Sequence, residues 1–67
     1  MIILFLSKGK TQTVISVNLE LDSERDYETH LYNDNGHTEA YSVSQNIEDC
    51  MRQHRLLCEK CSINTNM

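Results

Sequence analysis

The residues best able to do chemistry cluster near the end of the chain. Cys50, His54, Cys58 and Cys61 follow one another at spacings of four, four and three, and Cys58-Glu59-Lys60-Cys61 forms a C-x-x-C pattern. On a helix those spacings bring all four side chains to one face. Thiolate and imidazole are zinc donors, and zinc gathers four of them at about 2.0–2.3 Å. Cys50 and Cys61 would stand roughly 16 Å apart along a straight helix, so one ion cannot take all four. His54, Cys58 and Cys61 are therefore the candidate ligands: His54 and Cys58 with an outside donor, or Cys58 and Cys61 with an outside pair. Redox chemistry meets a physical objection. Reactive C-x-x-C thiols sit at helix N-termini, where the dipole favours the thiolate, and this pair sits at a C-terminal end. Core packing is the commoner fate of such a stripe, because free cysteine behaves as a small hydrophobe. On that reading His54 is a core histidine bonded to a backbone carbonyl, and no metal or cofactor is expected.

A second constellation is acidic. Glu20, Asp22, Glu24, Asp26 and Glu28 occupy every second position, offset only by Arg25. If the flanking strands pair across this segment, Glu20 and Glu28 face each other, an arrangement that destabilises a hairpin. The segment reads either as a solvated hairpin end that discourages edge aggregation or as a docking surface for a basic partner. Calcium-loop spacing is missing.

These groups need elements to hold them. Ile2 to Leu6 is a short apolar run, the pattern of a strand buried on both faces. Ser7-Lys8-Gly9-Lys10 is a polar turn with Gly9 available for positive φ. Thr13, Ile15, Val17, Leu19 and Leu21 alternate with more polar residues, Val14 being the exception, which predicts a strand with one apolar face. Tyr27, Thr29 and Leu31 are expected to continue that face, with Glu28, His30 and Tyr32 opposite. Asn33-Asp34-Asn35-Gly36 signals a hairpin, and His37 to Tyr41 a short edge strand. From Ser42 to Cys61 the spacing predicts an amphipathic helix, with Ser42 and Gln45 as a capping box. Its apolar stripe is Val43, Ile47, Cys50, Met51, His54, Leu57, Cys58 and Cys61, with Leu56 pointing away. The fold class is α+β: a three- or four-stranded antiparallel meander with one C-terminal helix packed on one face. Residues 1–61 form one domain and 62–67 a flexible tail.

Size and composition narrow the function classes. A chain of 67 residues is one domain at most and needs a staple or a partner. One helix covers one sheet face, so the other is expected to meet a second chain, a twin or a different protein. The net charge of −4 argues against a general nucleic-acid binder. Three cysteines confined to the C-terminal part read as reduced thiols in a cytoplasmic setting. The opening apolar run lacks a basic flank and is short for a secretory signal or a membrane span. No nucleophile elbow or phosphate-binding glycine loop is present, so an enzyme is not expected.

The plan of a short sheet followed by one helix resembles that of small inhibitors encoded by phages and other mobile elements. Some anti-CRISPR proteins and phage inhibitors of host RNA polymerase are among them. The resemblance is architectural and implies a small non-enzymatic protein that binds and inhibits or modulates a host protein. Two other readings stand beside it. One is a zinc- or thiol-dependent regulator using His54, Cys58 and Cys61. The other is a nucleic-acid-binding regulator using Lys8, Lys10, Arg52, Arg55 and Lys60.

Overall fold

A computed structural model describes residues 1–19 and 27–64. Four strands, β1 (Ile2–Lys8), β2 (Gln12–Asn18), β3 (Tyr27–Asn33) and β4 (Thr38–Ser44), precede one helix, α1 (Ile47–Lys60). The strands form an antiparallel sheet in the order β1-β2-β3-β4, and α1 packs across it. This is the expected α+β meander with a C-terminal helix.

Register decides which side chains share a face. Two rows cross the sheet beneath α1: Phe5, Ser16, Thr29 and Ser42, then Ser7, Val14, Leu31 and Ala40. Two others cross the opposite side: Ile3, Val17, Glu28 and Val43, then Leu6, Ile15, His30 and Tyr41. The alternation of β2 is real, but its apolar set turns away from the helix. Val14, the apparent exception, is fully buried in the core. Thr29 and Leu31 therefore lie on the opposite face from Ile15 and Val17, not on a continuation of it. Glu28 pairs with Val17, and Glu20, expected to face it, lies outside the described residues.

Both edge strands carry an extra residue. The β1–β2 pairing shifts between Ile3 and Phe5, and the β3–β4 pairing between Leu31 and Tyr32. The bulged residues are Leu4 and Glu39. β1 is an edge strand rather than a strand buried on both faces, and Ile2, Ile3 and Leu6 are exposed. Between β3 and β4, Gly36 takes φ of 81° as the Asn-Gly signal requires, and Asn33 Oδ1 accepts from the amides of Asn35 and His37. Gly9 is different: it has no positive φ. A Cβ there would come within 2.9 Å of Ile63 Cγ1, so close approach is what needs glycine.

The helix starts later than Ser42. Ser42 and Ser44 end β4, and Asn46 is the N-cap, its Oδ1 accepting from the Asp49 amide at 2.8 Å. The β-branched and small residues before it extend the sheet instead. At the other end Ile63 N–H donates to Cys58 O and Ser62 N–H to Glu59 O, a Schellman closure with Ser62 in the left-handed region at φ 56°. Ile63, placed in the tail by its position in the sequence, is instead buried with Val14, Leu31 and Cys58.

Candidate functional site

The cysteine–histidine stripe lies inward, as its spacing requires. Cys50, His54 and Cys58 are fully buried, while Cys61 caps α1 at the margin of the core. Among the described residues His54 bonds hydroxyls rather than a backbone carbonyl. Its Nε2 lies 2.9 Å from Ser7 Oγ and its Nδ1 2.8 Å from Ser16 Oγ. Ser16 continues to Thr29 Oγ1 at 2.7 Å, and Thr29 reaches Cys50 Sγ at 3.6 Å. The Phe5 ring meets the imidazole edge-on, centroids 5.8 Å apart.

This chain of polar groups explains why a helix packs on the more polar face of the sheet. A hydroxyl can both donate and accept, so Ser7, Ser16 and Thr29 satisfy His54 and one another and offset their own desolvation, whereas the buried Ser42 and Ser44 hydroxyls have no hydrogen-bond partner among the described residues. Burial holds the His54 pKa below its ordinary value, because the charged imidazolium loses its water. The Cys58 thiol is pushed up by burial and by neighbouring Cys61, with a hydrogen bond from Ser7 acting the other way.

Both nitrogens of His54 are engaged, and among the described residues no three His, Cys, Asp or Glu side chains come together to hold a metal ion. The stripe serves the interior. Sequence reading found its members but missed Ser7, Ser16 and Thr29. Ser16 and Thr29 stand opposite each other, while Ser7 lies in the next row opposite Val14, so only pairing across strands brings the three hydroxyls together.

The uncovered side of the sheet has the opposite character. Leu6, Ile15, Tyr41 and Val43 surround the aromatic core of this face. His30 stacks on Tyr41 and on Tyr32, with centroids 5.6 and 5.7 Å apart and planes within 15° and 14°. Its Nε2 pairs with Glu28 Oε1 at 2.9 Å. Tyr41 is 65% exposed, Val43 60%, Ile3 55% and Leu6 54%. Of the acidic candidates, Glu28 lies on this face. Glu20, Asp22, Glu24 and Asp26 lie outside the described residues. Tyr41 and Val43 were missed as surface residues, because Val43 also fits the period of the helix that follows.

Among the described residues no helix is long and apolar enough to cross a membrane. No protein-family model, curated protein or solved structure matches the chain, so its chemistry is read from its own side chains.

Proposed function

We propose that the protein is a small non-enzymatic binding protein that inhibits or modulates a larger host macromolecule in the cytoplasm, in the manner of phage and anti-CRISPR inhibitors. One observation carries this reading: on the face turned from α1, Ile3, Leu6, Tyr41 and Val43 are each more than half exposed although Val17 between them is buried, while the helix covers hydroxyls. Exposed patches of this kind mark contact sites, and tyrosine is a favoured anchor residue at interfaces. A protein target is favoured over nucleic acid. The net charge of −4 works against the phosphate contacts that nucleic-acid binding needs. Glu28 borders the same face and would supply a polar contact to a basic group on the target.

Affinity capture from host lysate tests the reading when compared across variants. The wild-type chain should retain one large protein, and Tyr41→Glu should lose it while Leu56→Glu, on the outer surface of α1, keeps it. Equal capture by all three, or none by the wild type, would refute the reading.

A further inference from the structure

The end of α1 carries a dithiol. Cys58 lies on the last turn of the helix and Cys61 caps it, and both pack in the cluster that holds Val14, Leu31 and Ile63. The turn between them is tightened. The Cys61 amide donates to Leu57 O and to Cys58 O, each at 3.2 Å, so it shares an α-helical bond with a 3₁₀ one. Residues three apart in a 3₁₀ turn lie one above the other. Helix geometry sets their Cα atoms about 5–6 Å apart, inside the range of about 4.4–6.8 Å that a disulfide spans. Cys50 stands roughly 16 Å from Cys61 along the helix and is engaged with Thr29. The free thiols therefore sort into a pair and a bystander.

The two members of the pair differ in access. Cys58 is fully buried. Cys61 is partly exposed and opens on a cavity of about 440 Å³ between the β1–β2 turn and the end of α1. That volume falls within the ~300–1,000 Å³ usual for small-molecule sites. Lys8 and Lys10 line the cavity with Cys61, Ser62 and Asn64, and among the described residues no carboxylate does.

We propose that Cys61 and Cys58 form a thiol-exchange site for a small anionic disulfide of the glutathione type, which closes the pair into a Cys58–Cys61 disulfide. Lys8 and Lys10 receive the carboxylates of the incoming molecule. Cys61 Sγ, as thiolate, attacks one sulfur of the disulfide, whose S–S bond breaks as the first small thiolate leaves. Cys58 Sγ then loses its proton and attacks Cys61 Sγ, and the second small thiolate leaves. Two protein thiols are oxidised, one small disulfide is reduced, and the two protons end on the departed thiolates.

The position of the pair sets its tempo. A helix C-terminus does not favour thiolates, and burial pushes the Cys58 thiol up. Closure is therefore slow, and Cys58 is a poor leaving group when the bond is reduced again. The site is a stoichiometric switch, open where thiols prevail and closed where the disulfide accumulates, and not a catalyst of exchange. It goes beyond the binding reading and does not depend on it.

Incubation of the reduced full chain with glutathione disulfide in native buffer, read by intact mass and peptide mapping, tests this. The chain should lose two hydrogens, and alkylation after unfolding should then mark Cys50 alone. Trypsin cuts between Lys60 and Cys61, so the peptides carrying Cys58 and Cys61 should stay joined until reduction. Cys58→Ser should stop at a mixed disulfide on Cys61, and Cys61→Ser should keep both remaining thiols reduced. Lys8→Glu together with Lys10→Glu should slow the reaction about tenfold, while the rate with neutral hydroxyethyl disulfide stays the same. Circular dichroism checks that each variant is folded, and if Cys58→Ser is not, Cys61→Ser decides. A wild-type chain that stays reduced, a mixed disulfide that persists on its Cys61, or a bond that includes Cys50 would overturn the inference. So would a lysine variant slowed with neither disulfide or equally with both. The binding reading is judged separately, by capture of the target.

Discussion

His54 organises the interior by accepting one hydrogen bond and donating another. A neutral imidazole has one donor and one acceptor nitrogen, and the hydroxyls on either side can adopt whichever role is left over. Two complete orders exist along Ser7, His54, Ser16, Thr29 and Cys50. In one, His54 donates to Ser16 and Cys50 accepts at the end; in the other, every donor reverses and His54 donates to Ser7. Replacing the ring leaves hydroxyls unpaired. His54→Leu should lower stability by about 2–3 kcal/mol in urea unfolding, although leucine is the more hydrophobic residue. The pH dependence follows from the lowered pKa of His54. The unfolded chain, with a histidine pKa of about 6.5, binds this proton more readily than the folded one. The contribution is thus fully present above about 6.5 and is lost as pH falls through and below that value. The urea midpoint should drop between neutral and mildly acidic pH, and drop less in His54→Gln. An equal drop in both would remove His54 as the cause. The stripe was legible in the sequence as a helical period; its partners were not, because serine and threonine carry no hydropathy signal of burial.

At the scale of elements, the ends of α1 are set by local chemistry. The Asn46 side chain accepts the Asp49 amide, so Asn46→Ala should cost about 1 kcal/mol. Ser62 holds a left-handed φ that favours glycine, so Ser62→Gly should raise stability by about 0.5–1 kcal/mol. Thermal unfolding reads both, and a loss of stability in Ser62→Gly would contradict the closure described. The helix start was misplaced by sequence because Ser42 and Gln45 match a capping box as well as a strand end. What separates the two is pairing with β3, where Thr29 lies opposite Ser42 and Tyr27 opposite Ser44. Pairing is a long-range property that a local window does not contain. The β2 alternation was read correctly in period, whereas which of its faces meets the helix depends on the residues α1 presents. Those are a histidine and cysteines that match hydroxyls better than isoleucines.

For the whole molecule, the two faces of the sheet divide the labour. The covered side holds the chain together through a hydrogen-bonded layer and a small apolar cluster around Val14, Leu31, Cys58 and Ile63. The other side carries Ile3, Leu6, Tyr41 and Val43, each more than half exposed. Meander topology and α+β class were legible from turn signals and strand periods. The identity of the covered face was not, since nothing in the hydropathy of Ser16 and Thr29 marks them as buried.

The bulges at Leu4 and Glu39 bear on how far such a molecule can assemble. An unbroken edge is a template on which strands add without limit. Here each outer strand breaks its own repeat once, so a further strand cannot keep step along either edge. Edges out of phase thus oppose growth of the sheet by added strands. The same chain with Leu4 and Glu39 deleted would have even edges, and light scattering should show it aggregating at concentrations where the full chain does not.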